Sequence, residues 1–240
     1  MIYIESTIAG GKSTLTKLLA SDLGSTPYLE DVNNGLVKNM LREFYSAGAE
    51  SRSHVSGMLQ VAFLTYRYQQ LKQALTETNA VMDSNLLSDS LMASNLHARG
   101  EMSDAVYNVY TTLNQLMQSN VNGTPWNGFP DLIVYLDISL DNELKAIEGR
   151  GRDMENIEKD PALVDYYRSV NQRYKDWYKG YSGCPVIRID RNRYDFLNNL
   201  NHRNYVLNTI EAKLVELGKL SESEFAEIKK KRNNSVDILD

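Results

Sequence analysis

Cysteine is nearly missing from this chain: Cys184 is the only one in 240 residues. That excludes an intrachain disulfide and favours a reducing compartment. Long apolar runs are missing as well. No stretch of 18 consecutive apolar residues occurs, and the opening MIYIES has no basic leader followed by an apolar segment. The expectation is a cytoplasmic protein with no membrane partner. Nor is there an excess of positive charge. Lys and Arg number 26 against 31 Asp and Glu, a net charge of -5, and the basic residues are scattered apart from KKKR at 229–232. This balance argues against nucleic acid as a partner, so any anionic ligand must be held by a local site.

What is present suits one or two ordinary globular domains, with 42% hydrophobic and 24% charged residues. MIYIE reads as a buried strand. A Gly-bearing turn follows at once, and then KSTLTKLLASDLG, in which Leu15, Leu18, Leu19 and Leu23 keep helical spacing up to Gly24. Further apolar runs at 80–83, 131–138 and 185–190 read as strands, with TPYLED at 26–31 as a short one. Helical patterns cover 34–46, 55–78, 86–98, 102–120, 139–149, 160–181 and 199–217. Strands separated by helices imply an α/β fold with a parallel sheet covered on both faces. NVNGTPWNGFP at 120–130 reads as a turn-rich loop. Residues 1–217 are expected to form a single domain, and the charged, weakly periodic 218–240 a frayed helix or tail.

The turn after the first strand, STIAGGKS at 6–13, nearly matches the phosphate-loop pattern G-x-x-x-x-G-K-[ST]. In that pattern backbone N–H groups wrap phosphates, Lys reaches the terminal ones and Ser/Thr holds Mg²⁺. Gly11, Lys12 and Ser13 fill its second half, with Gly10 and Thr14 beside them. Ser6 occupies the place of the first glycine. If that place needs a positive φ, serine there costs about 1 kcal/mol, unless Gly10 absorbs the demand. A glycine-rich turn with no ligand is the plainer alternative.

Other candidates follow the strands. Glu30 ends the second one, where by itself it is one acidic loop residue among many. Gln60 and Arg67 share one face of a helix, and a polar pair on a buried face needs partners. A plain salt bridge from Arg67 to Asp89, with Gln60 solvated, is an equal reading. Asp83, in MDSNLLSD, can also be a helix N-cap.

In register, these segments resemble the deoxynucleoside kinase family, especially the bacterial and phage deoxyadenosine/deoxyguanosine kinases, from residue 1 to about 217. The family loop E-G-x-I-G-A-G-K-S stands against ESTIAGGKS here, so Glu5, Ile8, Gly11, Lys12 and Ser13 match while Ser6 and Ala9 depart. The resemblance implies a P-loop kinase fold, with a five-stranded parallel sheet flanked by helices and an arginine-bearing lid. It implies ATP and Mg²⁺, the metal on Ser13 and Asp83. It also implies a small-molecule deoxynucleoside whose 5'-hydroxyl meets Glu30 and whose base edge is read by Gln60, Arg67 and Asp89. The lid pattern R-x-R-x-x-E falls on Arg150, Arg152 and Glu155, two phosphate clamps and a contact for the sugar 3'-hydroxyl, with Tyr45 near that hydroxyl. Asp195 and Phe196 fall in the loop that holds the adenine of ATP. Catalysis is thereby assigned to Lys12, Glu30, Arg150 and Arg152.

Two departures concern function. The family motif [DE]-R-S, whose arginine contacts the phosphates and the 5'-oxygen, reads Asp83-Ser84-Asn85 here. Arginines in related phosphoryl transfers are worth roughly 10³ to 10⁵ in rate. The family's base-stacking phenylalanine is replaced by Ala93, which leaves a wider pocket or one filled from elsewhere. The expected activity is phosphoryl transfer from ATP to the 5'-hydroxyl of a deoxynucleoside, purines first. The alternatives are a weakened nucleotide-binding subunit that pairs with an active kinase, and a nucleoside-monophosphate kinase. A homodimer through the long helices is expected, with a hetero-oligomer with a related kinase as the alternative.

Overall fold

The computed structural model describes residues 1–236. In chain order the elements are β1 (Ile2–Glu5), α1 (Lys12–Leu23), β2 (Pro27–Tyr28), α2 (Gly35–Ser46), α3 (Ala49–Ala74), β3 (Val81–Met82), α4 (Leu86–Ala98) and α5 (Asp104–Ser119). There follow β4 (Asn120–Val121), β5 (Thr124–Pro125), β6 (Leu132–Asp137), α6 (Leu140–Arg150), a 3₁₀ turn (Asp153–Glu155), α7 (Ala162–Gly180), β7 (Val186–Asp190), α8 (Leu200–Glu216) and α9 (Glu222–Val236). Five strands form one parallel sheet in the order β2-β3-β1-β6-β7, with Ile2 of β1 opposite both Val81 and Leu132.

The central strand is buried along its length, as a parallel sheet with helices on both faces requires. Alternation along β1 divides the core. Ile2 and Ile4 pack with Leu15, Leu19, Val134, Leu207 and Ile210 on the face covered by α1 and α8. Tyr3 packs with Leu64, Leu71, Met82, Tyr135 and Tyr174 on the face covered by α3, α4 and α7. Because the strands are parallel, their C-terminal ends lie along one edge, and Glu5, Asp83 and Asp137 mark it.

The expected elements are present with shifted ends. TPYLED contributes only Pro27–Tyr28 to the sheet. Helix α3 begins at Ala49 after an extended Gly48, earlier than the apolar pattern indicates, and stops at Ala74. The turn-rich loop carries the β4–β5 hairpin, whose Asn122 and Gly123 both have positive φ, the pairing a tight hairpin favours.

The last stretch departs most from expectation. Residues from Glu222 form a docked helix and not a frayed tail. Ser221 and Glu224 make a reciprocal cap, Ser221 N donating to Glu224 Oε2 at 2.8 Å and Glu224 N to Ser221 Oγ at 3.2 Å. Leu220 and Ile228 are buried against the α1/α8 core, with Phe225 packed beside them. Arg232 bridges from α9 to Asp22 of α1 at 2.8 Å, to Asn208 of α8 at 3.0 Å, and to Glu211, which is fully buried. Charge along α9 hides this docking in the sequence, since its few apolar residues meet a surface built by distant segments. Among the described residues no helix is long and apolar enough to cross a membrane.

Removing one partner of a buried ion pair leaves an uncompensated charge, so Arg232→Ala is expected to destabilise the fold by about 3 kcal/mol in urea unfolding. Lys230→Ala, at an exposed position two residues away, serves as the comparison and is expected to change it by less than about 1 kcal/mol.

Candidate active site

The turn between β1 and α1 runs over a helix start with no side-chain cap. Gly11, the N-cap residue, has φ 96°. The first N–H groups of α1 are therefore left for another acceptor, a ready anion site. Lys12 folds back, its Nζ donating to the carbonyls of Ser6 at 3.1 Å and Thr7 at 2.9 Å.

Ser6 does not carry the strain expected of it. The left-handed residues of the loop are Ala9, at φ 56°, and Gly11; neither Ser6 nor Gly10 is among them. Ser6 is fully buried and donates from Oγ to the carbonyl of Leu136 at 2.9 Å, tying the loop to β6. A Cβ built on Gly10 would lie 1.9 Å from Ser6 Oγ and 2.8 Å from Ser6 Cβ. Gly10 therefore provides room for the serine and does not absorb a positive φ. That conformation falls on Ala9, where the resembled loop has glycine, at a cost of about 1 kcal/mol.

Asp83 follows β3 directly and is 1% exposed. Its Oδ2 accepts from Ser13 Oγ at 2.5 Å, and its Oδ1 accepts from the backbone N–H of Glu30 at 2.7 Å. Burial pushes its carboxyl above the usual range, and nearby Glu30 adds to the shift. Asp83 is not the N-cap of α4. Asn85 is, accepting from the N–H groups of Leu87 and Ser88 while donating to Glu5 Oε1 at 2.7 Å. Burial pushes Glu5 up to about 7, and does the same to Glu143 of α6, which accepts from Asn171 at 2.6 Å.

Beyond Glu30 the guanidinium of Arg67 contacts both Glu30 and Asp89 and stacks over Phe63 at 4.5 Å. The salt bridge between α3 and α4 thus forms, but Gln60 is not solvated: it is 3% exposed and its Oε1 has no hydrogen-bond partner among the described residues. Asp89 Oδ2 also lacks one. At the other end, Arg150 and Arg152 both contact Glu155, the latter at 3.4 Å, and Glu155 is 4% exposed.

These groups open onto one cavity of about 670 Å³. Gly10, Gly11, Lys12, Ser13, Thr14, Glu30, Tyr45, Gln60, Arg67, Asp83, Asp89, Arg150, Arg152 and Glu155 all line it. Asp195 and Phe196 do not. Phe196 is fully buried beneath the loop, where a Cβ on Gly11 would come within 3.0 Å of its ring, and Asp195 accepts from Asn198. Leu197 and Asn198 line the cavity in their place. Ala93 is buried away from it, and the apolar wall comes from Phe44, Leu59, Phe63 and Met92. Sequence reasoning passed over these four because helical spacing marks them as core; the available signal was that Leu59 and Phe63 flank Gln60 on α3.

A parallel sheet whose first strand runs through a glycine loop into a lysine-led helix, with a carboxylate at the next strand end, defines a P-loop kinase fold. The deoxyadenosine kinase of M. mycoides, solved with dCMP and a flexible dCDP, has this fold, with a TM-score of 0.68 and 23% identity over 88% of this chain and 98% of that one. The chain belongs to the deoxynucleoside kinase family, whose pattern matches residues 2–216. It is 36% identical to a deoxyguanosine kinase of Lactobacillus johnsonii, over 92% of this chain and 96% of the relative. It is 34% identical to a deoxyadenosine kinase of Lactobacillus acidophilus, over 92% and 99%.

Ser6 and Gly10 form a matched pair, which a double-mutant cycle measures. Gly10→Ala alone is expected to lower stability by about 2 kcal/mol through overpacking. Ser6→Gly with Gly10→Ala is expected to recover most of that loss in thermal unfolding.

Proposed function

We propose that this chain moves the γ-phosphoryl group of ATP to the 5'-hydroxyl of a purine deoxynucleoside. The observation that carries this reading is one continuous set of contacts. It runs from Ser13 through Asp83 to Glu30, and from Glu30 through Arg67 to Asp89, along a single cavity.

At the phosphate end Lys12 exchanges two backbone carbonyls for phosphate oxygens, and the open N–H groups of α1 take the rest. Ser13 Oγ and Asp83 Oδ2 are adjacent hard oxygens, a donor set that fits Mg²⁺ completed by waters and phosphates. Among the described residues no group of three or more His, Cys, Asp or Glu forms an all-protein cage. Bound there, Mg²⁺ would neutralise charge on the β- and γ-phosphates. Glu30, its backbone fixed by Asp83, takes the proton of the 5'-hydroxyl. Arg150 and Arg152 move from Glu155 onto the phosphates, which frees Glu155 and neighbouring Tyr45 for the sugar 3'-hydroxyl.

At the base end, the unpaired Gln60 Oε1 and Asp89 Oδ2 accept hydrogen bonds, and Arg67 donates them. Adjacent donors and acceptors on a purine edge match this set, and thymine matches it poorly. The deoxyguanosine and deoxyadenosine kinases among the relatives support the same preference. A reducing, cytoplasmic setting suits the single Cys184.

The proposed homodimer uses the outer faces of α3 and α5. Val106, Val109 and Leu116 lie on one face of α5 at 40%, 68% and 64% exposure, and Met58 of α3 is 61% exposed. Val106 packs over Gly57, so the two helices present one apolar strip.

A turnover panel of the four deoxynucleosides and their monophosphates with Mg-ATP is expected to give highest kcat/KM with deoxyadenosine or deoxyguanosine. Normal ATP binding with no turnover on any nucleoside would favour the binding-subunit alternative, and preference for a monophosphate the other. In sedimentation, Leu116→Glu is expected to convert a dimer to a monomer; a monomeric wild-type chain would refute the homodimer.

A further inference from the structure

The family's phosphate-contacting arginine would stand at position 84, where this chain has a serine that is 3% exposed. Ser84 opens onto a small inner chamber of about 90 Å³ behind the phosphate loop, also lined by Lys12, Glu30, Arg67, Asp89 and Tyr174. Two cationic side chains line this chamber. Lys12 is already assigned to the phosphates within the loop itself. Arg67 comes from a different element and contacts Glu30, the group assigned to the 5'-hydroxyl proton.

We infer that Arg67 supplies, beside Glu30, the guanidinium that Ser84 cannot, and so acts as a positioning residue for phosphoryl transfer as well as a reader of the base. The inference rests on the kinase reading above. Its geometric basis is the forked contact: one arm of Arg67 holds Asp89, which is 1% exposed, and the other holds Glu30. Phe63 supports the guanidinium plane from below. A guanidinium has five donors in a fixed plane, enough to keep both carboxylates and still face a ligand. Glu30 is fixed twice, its amide by Asp83 and its carboxylate by Arg67, so its approach to the acceptor hydroxyl depends on a residue that also touches the base. A base that pulls Arg67 out of place displaces Glu30 with it, and discrimination between bases then appears in kcat as well as in KM.

The test relocates the charge. Arg67→Met, Ser84→Arg and the double variant are compared with the wild-type chain for kcat, nucleoside KM and ATP binding, with thermal unfolding as the check on folding. Arg67→Met is expected to lower kcat at saturating nucleoside by about 100-fold on every nucleoside used, the scale of a misplaced general base, with ATP binding retained. Adding Ser84→Arg is expected to raise kcat at least about tenfold over Arg67→Met, while nucleoside KM stays high because the base reader is still absent. Loss of Arg67 leaves Asp89 buried without its cation. Arg67→Lys is therefore run in parallel, keeping a charge there but not the fork. A rise in KM with kcat unchanged in Arg67→Met and Arg67→Lys would overturn the inference, as would a folded, ATP-binding double variant with no recovery of kcat. A wild-type chain without turnover would instead overturn the kinase reading itself.

Discussion

The site depends on the two bonds accepted by Asp83. One oxygen holds the hydroxyl of Ser13 at the start of α1, and the other holds the amide of Glu30 beyond β2. Three strand ends that are distant in sequence are thereby set to one spacing. A buried carboxylate can do this because each oxygen is satisfied by a fixed donor; without them its burial would cost several kcal/mol. In the proposed reaction the same residue joins the phosphate end to the acceptor end, so neither can drift from the other. Asn85 extends the arrangement by capping α4 with its oxygen and binding Glu5 with its nitrogen.

The departures from the family pattern are answered locally. Ser6 is accommodated because Gly10 has no side chain, and its hydroxyl gains a bond to Leu136. The residual strain is at Ala9, about 1 kcal/mol, small beside the stability of a domain this size. Ser84 leaves an inner chamber that Arg67 reaches from α3. With the role inferred for Arg67, losses that look like decay in isolation become exchanges with their neighbours. This weakens the case for a degenerate binding subunit without chemistry.

The end of the cavity proposed to hold the base shows the same principle in apolar form. Position 93 is a buried alanine, and the wall is built by Phe63 and Met92, side chains from two helices, with Phe44 from a third. Phe63 lies one helical turn from Arg67 and carries its guanidinium. One ring supports the Arg67 cation and, in the proposed reading, would also offer an apolar surface to a base.

Much of this was legible in the residues. Apolar runs marked the sheet strands because a parallel sheet buries both faces, and Gly11-Lys12-Ser13 between a strand and a helix marked the phosphate loop. Helical spacing brought Gln60 and Arg67 to notice, since polar residues inside apolar helical patterns need partners, and the family resemblance added Asp89. Chain order alone could not show that Ser6 is matched to Gly10, that Phe196 lies beneath Gly11 while Leu197 and Asn198 reach the cavity, or that α9 docks through Arg232. Each of these depends on which atoms fill a given volume, and that is decided by segments far apart in the chain. The sequence by itself determined the periodicities, the loop chemistry and the identity of the charged groups. Only the tertiary structure decided which charges meet, because a carboxylate's partner is a matter of distance in space, and packing sets that distance.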